Sequence, residues 1–394
     1  MKITGRGLLA GNTIEIAFTD SISSVAIAAT QKDEYIAPGW IDLQVNGFAG
    51  VDYNHPGTSH AEIARSIHVL YRTGVTRFYP TVITGSPEDM EGALRNLAQA
   101  KDSLPEGDSI EGLHVEGPYI SGEDGPRGAH PRRWVRPPDF DEFQRWQDAT
   151  QHRVRIVTLS PEWPGAPAFI EKVAAAGAVV AIGHTQASAG QIADAVGAGA
   201  TLSTHLGNGA HFVLRRHPNY IWDQLADDRL MADFIVDGIH LDASFVKVAL
   251  RAKGIERSVL VTDAVAPAGS APGRYRLGEQ EVDHTADGRV VLAGQDRLAG
   301  SALRMDRAIG NVVRLAGISL KDAVRMATTN AARAAAIAGR MRGLESGERA
   351  DFVQFRFDER TSHVEMISTW VSGREVFRTA TLPPIEYSDS HSRS

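Results

Sequence analysis

The 394-residue chain sets 41 Lys and Arg against 48 Asp and Glu, a formal net charge of −7, and contains no cysteine. Mild acidity without a basic tract argues against nucleic acid or an anionic membrane as the main partner, because both reward clustered cations. The missing thiols exclude disulfides, thiolate catalysis and cysteine-ligated zinc, so any metal must be held by His, Asp or Glu.

The length suits one large α/β barrel with an appendage, or two medium domains. The opening MKITGRGLLAGNTIE lacks the continuous apolar core of a signal peptide, and no segment is apolar for long enough to span a bilayer. A cytoplasmic protein is the expectation. The first 35 or so residues are β-like, through KITGRGLL, TIEIAF and SVAIAAT. After IAPGWIDLQVNG, short apolar runs alternate with Ala-rich amphipathic stretches, the pattern of repeated βα units. Eight strands are predicted, at 40–45, 76–82, 110–116, 153–159, 178–184, 200–206, 231–237 and 258–263. Helical patterns such as HAEIARSIHVLYRTG, SAGQIADAVGAG and ASFVKVALRAKG fall between them and end in Gly, which suits a helix C-terminus. Eight repeats favour a closed (β/α)8 barrel over an open sheet.

Residues 272–297 interrupt the repeats with strands around an Asp-Gly turn, and a final pair of helices, AIGNVVRLAG and LKDAVRMATTNAARAAAIAG, follows. From GLESGERADFVQF the chain turns β-like again. The expected organisation is a small β-sandwich domain from residues 1–37 and 345–382, a barrel over 38–344 and a disordered polar tail at 383–394.

In GLHVEGPYI, at 112–120, a run of apolar residues ends in Glu116, directly before a Gly-Pro turn. A buried carboxylate is costly unless a cation or a hydrogen-bond network holds it. In a parallel barrel, chemistry sits where the strands end at their C-terminal side. The third predicted strand ends in Glu116, the fifth in His184, the sixth in His205 and the eighth in Asp263, while His240 lies just past the seventh. One glutamate and two histidines suit a divalent metal with an open position, zinc first, and leave Asp263 free to act as a base. Each residue also has a plainer reading: a strand-end histidine can be a hydrogen-bonded core residue, Asp263 a helix N-cap, and Glu116 the partner of an arginine such as Arg127. His114 shares the face of Glu116 on its strand, as a supporting or core residue.

The blocks PGWIDLQVNG, HVEGPY, GAHP, IGHT, THLGNG, DGIHLD, VTDAVAPAG and LAGSAL resemble, in order, those of the amidohydrolase superfamily and, within it, the N-acetylglucosamine-6-phosphate deacetylase family. The resemblance implies a (β/α)8 barrel beside a small β-sandwich, one divalent metal ion per subunit, hydrolysis of an N-acetyl amide and a homodimer. It places Glu116, His184 and His205 as metal ligands and Asp263 as the catalytic acid and base. His130 falls beside the reacting acetyl group, and His240, Asn208, Gly209, Leu298 and Ser301 along the substrate. Arg216 aligns with the arginine that reaches the phosphate of a neighbouring subunit's substrate. Many amidohydrolases carry His-x-His on the first strand; here the positions are Gln44 and Asn46, poor zinc ligands, so a second metal is not expected there. The loop after His205 also departs from the family: it reads Leu-Gly-Asn-Gly-Ala-His, without the usual aromatic and proline and with His211 added. That leaves open which amino sugar is bound and whether it is phosphorylated. Another N-acyl substrate, or a non-catalytic sugar-binding barrel, are the competing readings.

Overall fold

The structure, a computed structural model, describes residues 1–8, 11–29, 32–339 and 342–379. The expected tail at 383–394 lies outside the described residues, as do 380–382 at the end of the expected β domain. Eight strands form one parallel sheet in sequence order: Trp40–Val45, Val75–Ile83, Leu113–Glu116, Val154–Leu159, Val179–Ile182, Ala200–Ser203, Met231–Ile235 and Ser258–Val261. The sheet closes on itself where the backbone N–H of Asn46 donates to the Ala264 carbonyl at 2.7 Å. Every residue of Trp40–Val45 and of Val75–Ile83 is buried, because lining and helices cover both faces of a parallel sheet.

Local sequence explains the intervening helices. Ser59 and Glu62 form a reciprocal capping box at the start of His60–Tyr71, and Ser188 with Gln191 does the same for Ala189–Gly197. Met305–Ala316 closes the eighth βα unit. The final pair of helices is instead three, because LKDAVRMATTNAARAAAIAG breaks into Leu320–Met326 and Thr329–Ala334. Tertiary demands override helix propensity there. The Ala327 carbonyl accepts from the N–H of Ile41 on the first barrel strand, and Asn330 Nδ2 donates to the carbonyls of Ile255 and Ser258.

The two chain ends meet in a seven-stranded sheet. Phe352–Asp358 pairs antiparallel with Tyr35–Pro38, which joins the N-terminal strands Lys2–Gly7, Thr13–Phe18 and Ile22–Ile27 to His363–Val371 and Arg374–Arg378. Phe18 and Trp370 stand four strands apart in that order, roughly 19 Å in a flat sheet. Their rings lie 5.4 Å apart with Phe352 touching both, so the sheet folds over its own apolar face as a sandwich does. Between the eighth strand and Met305–Ala316, the insert forms Gly273–Leu277, Gln280–His284 and Val290–Leu292, with Asp287-Gly288 at its second turn.

The β domain is tied to the barrel by a buried ion pair. Arg77, on the second barrel strand, donates Nε to Asp351 at 2.7 Å and Nη1 to Glu111 at 3.0 Å. Removing one member of such a cluster leaves charge buried without its partner, although Arg349 also contacts Asp351. Arg77→Met is therefore expected to cost about 3 kcal/mol in urea unfolding followed by tryptophan fluorescence. An unfolding midpoint equal to that of the unsubstituted protein would remove this pair from the account of the fold.

Candidate active site

Three of the predicted groups do not end strands; they lie two residues beyond them. His184, His205 and Asp263 take positive φ values of 49°, 29° and 50°, a conformation that non-glycine residues adopt rarely and at a cost. Nearby backbone contacts hold each one. The His184 carbonyl accepts from Ser121 N–H, the His205 N–H donates to Asp233 Oδ1, and the Asp263 carbonyl accepts from Ser301 N–H. All three side chains are thereby turned inward over the barrel.

They meet Glu116. Its Oε1 lies 2.8 Å from His205 Nε2 and 3.1 Å from His184 Nε2, and its Oε2 lies 3.9 Å from His130 Nε2. Donor atoms of Glu116, His130 and His184 all fall within 4.8 Å of one another; His205 is not part of that group and meets it through Glu116 Oε1. Hydrogen bonding places one proton. His184 Nδ1 lies 2.8 Å from the Pro126 carbonyl, an acceptor only, so Nδ1 carries a proton and Nε2 is the atom turned to the carboxylate oxygen. Contacts that short between Nε2 and a carboxylate require a positive charge there, carried by a proton on the imidazole or by a metal ion. Burial opposes the ionised forms, yet the two imidazoles hold the Glu116 carboxyl well below its usual range. Burial likewise opposes charge on His205, and Glu116 overrides it, lifting the imidazole to about 9. A buried Glu/His/His group with that demand for positive charge fits a divalent cation.

Asp263 faces this group under a different influence. Burial first, then the charge of Glu116, raise its carboxyl to about 6. Gln44 Nε2 at 3.0 Å and Asn46 Nδ2 at 2.7 Å both donate to its Oδ1. The first-strand amides are thus carboxylate holders, a role that their residue types alone did not reveal. Beneath the site, His114 is a core histidine, set between the Leu43 carbonyl and the Thr158 hydroxyl. Arg127 does not pair with Glu116; it donates to the His130 carbonyl and meets Asp124.

These groups form the floor of a cavity of about 390 Å³ whose walls include His130, Asn208, Gly209, His240 and Leu298. His130 Nδ1 lies 2.8 Å from the Thr84 hydroxyl, and His240 Nδ1 lies 2.6 Å from Asp237 Oδ2. Two expected substrate residues stand elsewhere. Ser301 is turned away from the cavity, with its hydroxyl on the Thr262 carbonyl at 2.6 Å, and so braces the backbone of Asp263. Arg216 is exposed and lies outside the lining, on the loop that carries exposed Phe212 and Val213. Sequence reading missed Thr84, Asp233 and Asp237, and also Arg289 and Arg297 of the insert, which line the cavity. Asp233 alone left a signal, a charge within the apolar strand MADFIV.

The sequence pattern of the Amidohydrolase family matches residues 35–376, the whole barrel and the later strands of the β domain. The chain belongs to the amidohydrolase family. An N-acetylglucosamine-6-phosphate deacetylase of Bos taurus is 36% identical over 89% of this amidohydrolase and 85% of its own length. An N-acetylgalactosamine-6-phosphate deacetylase of Escherichia coli O157:H7 is 31% identical over 94% and 96%. Among solved structures, a mutant N-acetyl-D-glucosamine-6-phosphate deacetylase of Mycobacterium smegmatis, in complex with N-acetyl-D-glucosamine-6-phosphate, superposes with a TM-score of 0.85. It is 32% identical and covers 95% of this chain and 99% of its own.

One glycine of this amidohydrolase guards the metal group. Gly209 has φ of 55°, and a Cβ placed there would stand 2.6 Å from His184 Nδ1. Gly209→Ala is expected to push the ring aside and weaken divalent-metal binding by about tenfold or more, measured by chelator competition on protein with an unchanged circular dichroism spectrum. Unaltered affinity would show that His184 has room to adjust.

Proposed function

We propose that this amidohydrolase is a metal-dependent deacetylase that converts N-acetylglucosamine-6-phosphate to glucosamine-6-phosphate and acetate. The observation that carries the reading is the meeting of Glu116, His184 and His205 beside an Asp263 that is fastened through one oxygen only. Relatives named for this reaction in Bos taurus and Mycobacterium smegmatis support the substrate.

In this reading Glu116, His184 and His205 hold the cation, and zinc is the ion that such a donor set with an open position suits best. When bound, it supplies Lewis acidity to the amide carbonyl and makes a coordinated water easier to deprotonate. Asp263 does the proton work. With Oδ1 occupied by two amides, Oδ2 takes the proton of the attacking water and returns it to the departing nitrogen, without which an amine is a poor leaving group. His130 faces the carbonyl oxygen as negative charge develops there. Burial lowers its pKa to about 3, so the ring is neutral and carries a single proton. The Thr84 hydroxyl can donate to Nδ1, and in that tautomer the ring's proton sits on Nε2, the nitrogen turned toward Glu116.

The galacto epimer is a second reading, favoured by the altered loop after His205 and by the Escherichia coli relative. The reading includes a cytoplasmic homodimer, in which Arg216, exposed and outside its own cavity, would serve the neighbouring subunit; light scattering of the purified protein tests the oligomer.

The deciding experiment measures acetate released from N-acetylglucosamine-6-phosphate, its galactose epimer and the dephosphorylated sugar, alongside elemental analysis of the protein. Near-stoichiometric zinc and turnover of the phosphorylated gluco substrate are expected. Asp263→Asn is expected to keep the metal and lose about a thousandfold in kcat. Undiminished turnover in that variant would remove Asp263 from the chemistry, and no acetate from any substrate would end the deacetylase reading.

A further inference from the structure

The insert after the eighth strand does more than cover the rim. It brings Arg289, Asp296 and Arg297 into the lining of the cavity that holds Glu116 and Asp263 at its floor. Arg297 bridges from the insert to the loop before His130: its Nη1 donates to the Gly128 carbonyl at 3.0 Å and stands 3.5 Å from Asp124 Oδ1. Asp124 is a weak counter-ion, because its side chain is 69% exposed and Arg127 shares it. Arg289 forms no ion pair among the described residues, and donates Nη2 to the Asp296 carbonyl at 3.2 Å.

The neighbours of these arginines place them around one opening. A Cβ on Gly288 would lie 3.9 Å from Ile239 Cδ1, which sets the Arg289 turn beside the loop of His240. A Cβ on Gly125 would lie 3.0 Å from His211 Cα, which sets the segment held by Arg297 against the loop after His205. Arg289 and Arg297 therefore line one cavity with His211, His240 and Asp296; His240 is engaged by Asp237, and among the described residues Arg297 meets only the exposed, shared Asp124. The floor carries two carboxylates, Glu116 and Asp263. Arg289 without an ion-pair partner among the described residues and Arg297 with only a weak one leave two guanidiniums available to an anion, and guanidinium forks match phosphate oxygens in shape as well as charge.

We propose that Arg289 and Arg297 hold the phosphate monoester of the substrate within the chain's own cavity, so that selection for a phosphorylated sugar is built into the insert. The inference rests on the deacetylase reading and adds to it a source of anion recognition in the same chain, independent of what Arg216 gives a neighbour. The two guanidiniums bind the group that does not react; the acetyl end stays with His130 and Asp263.

The test compares metal-loaded wild-type protein with Arg289→Met, Arg297→Met and the double variant, on N-acetylglucosamine-6-phosphate and on N-acetylglucosamine. For the phosphorylated sugar, kcat/KM is expected to fall about 10- to 100-fold in the double variant, mainly through KM. For the unphosphorylated sugar it is expected to stay within about twofold. Inhibition by inorganic phosphate should weaken in parallel, a readout that does not depend on turnover. Arg297→Lys, which keeps the charge but not the fork, should fall between; it decides the matter by the same ratio should the double variant unfold. Equal losses on both sugars, or no loss on the phosphorylated one, would overturn the inference and leave the deacetylase reading standing. Wild-type protein that releases acetate from neither sugar would overturn both.

Discussion

A carboxylate buried among imidazoles is the constraint on which the rest of this protein is arranged. Glu116 ends an apolar strand with almost no access to solvent, and the cost of ionising it there is met by His184 and His205 on one oxygen, with His130 near the other. Those contacts hold only with positive charge on the imidazoles or on a metal ion between them. The barrel allows the contacts because parallel strands deliver their ends to one rim, whatever their separation in sequence. Only the residues just past the strands can bend far enough inward, and three of them do so in left-handed backbone conformations, each held by hydrogen bonds from a neighbouring segment.

Two carboxylates at one floor would ordinarily compete for the same role. Their surroundings part them. Imidazoles hold Glu116 ionised, whereas burial and the negative charge of Glu116 raise Asp263 to about 6, within the range where a group can both take and return a proton. Gln44 and Asn46 strengthen the division by engaging one Asp263 oxygen and leaving its twin free. At Gln44 and Asn46 the chain carries neutral amides, poor zinc ligands, and here they orient a carboxylate.

The parts of this arrangement that depend on period and burial were legible in the sequence. Alternating apolar runs and capped amphipathic helices marked the eight βα units, and the ionisable residues at the ends of those runs were visible because the runs themselves are so apolar. Contacts between distant segments left no such trace. Nothing in LKDAVRMATTNAARAAAIAG announces that Ile41 will claim the carbonyl of Ala327 and split the helix. Ser301 was expected along the substrate and instead braces Asp263, because the direction of a hydroxyl depends on which carbonyl stands nearest. Arg289 and Arg297 look like ordinary surface charges in GRVVLAGQDRLAG until the insert folds back across the cavity. Periodicity predicts elements; it does not predict which element's side chains cross a gap made by another.

That difference also separates how firmly the two ends of the cavity are determined. The floor is supplied by strand termini whose positions follow from closing the barrel, so their geometry can shift only if the sheet shifts. The mouth is supplied by the loop after His205 and by the insert, segments that pack on the rim without carrying the sheet's hydrogen bonds. Residues there can change charge and length at little cost to the fold. A family that keeps one hydrolytic floor can therefore vary the group it recognises through these two segments. In this chain the loop reads Leu-Gly-Asn-Gly-Ala-His after His205, while the insert brings two arginines to the same opening. Both segments can change at the mouth while the buried carboxylate and its imidazoles stay where the barrel puts them.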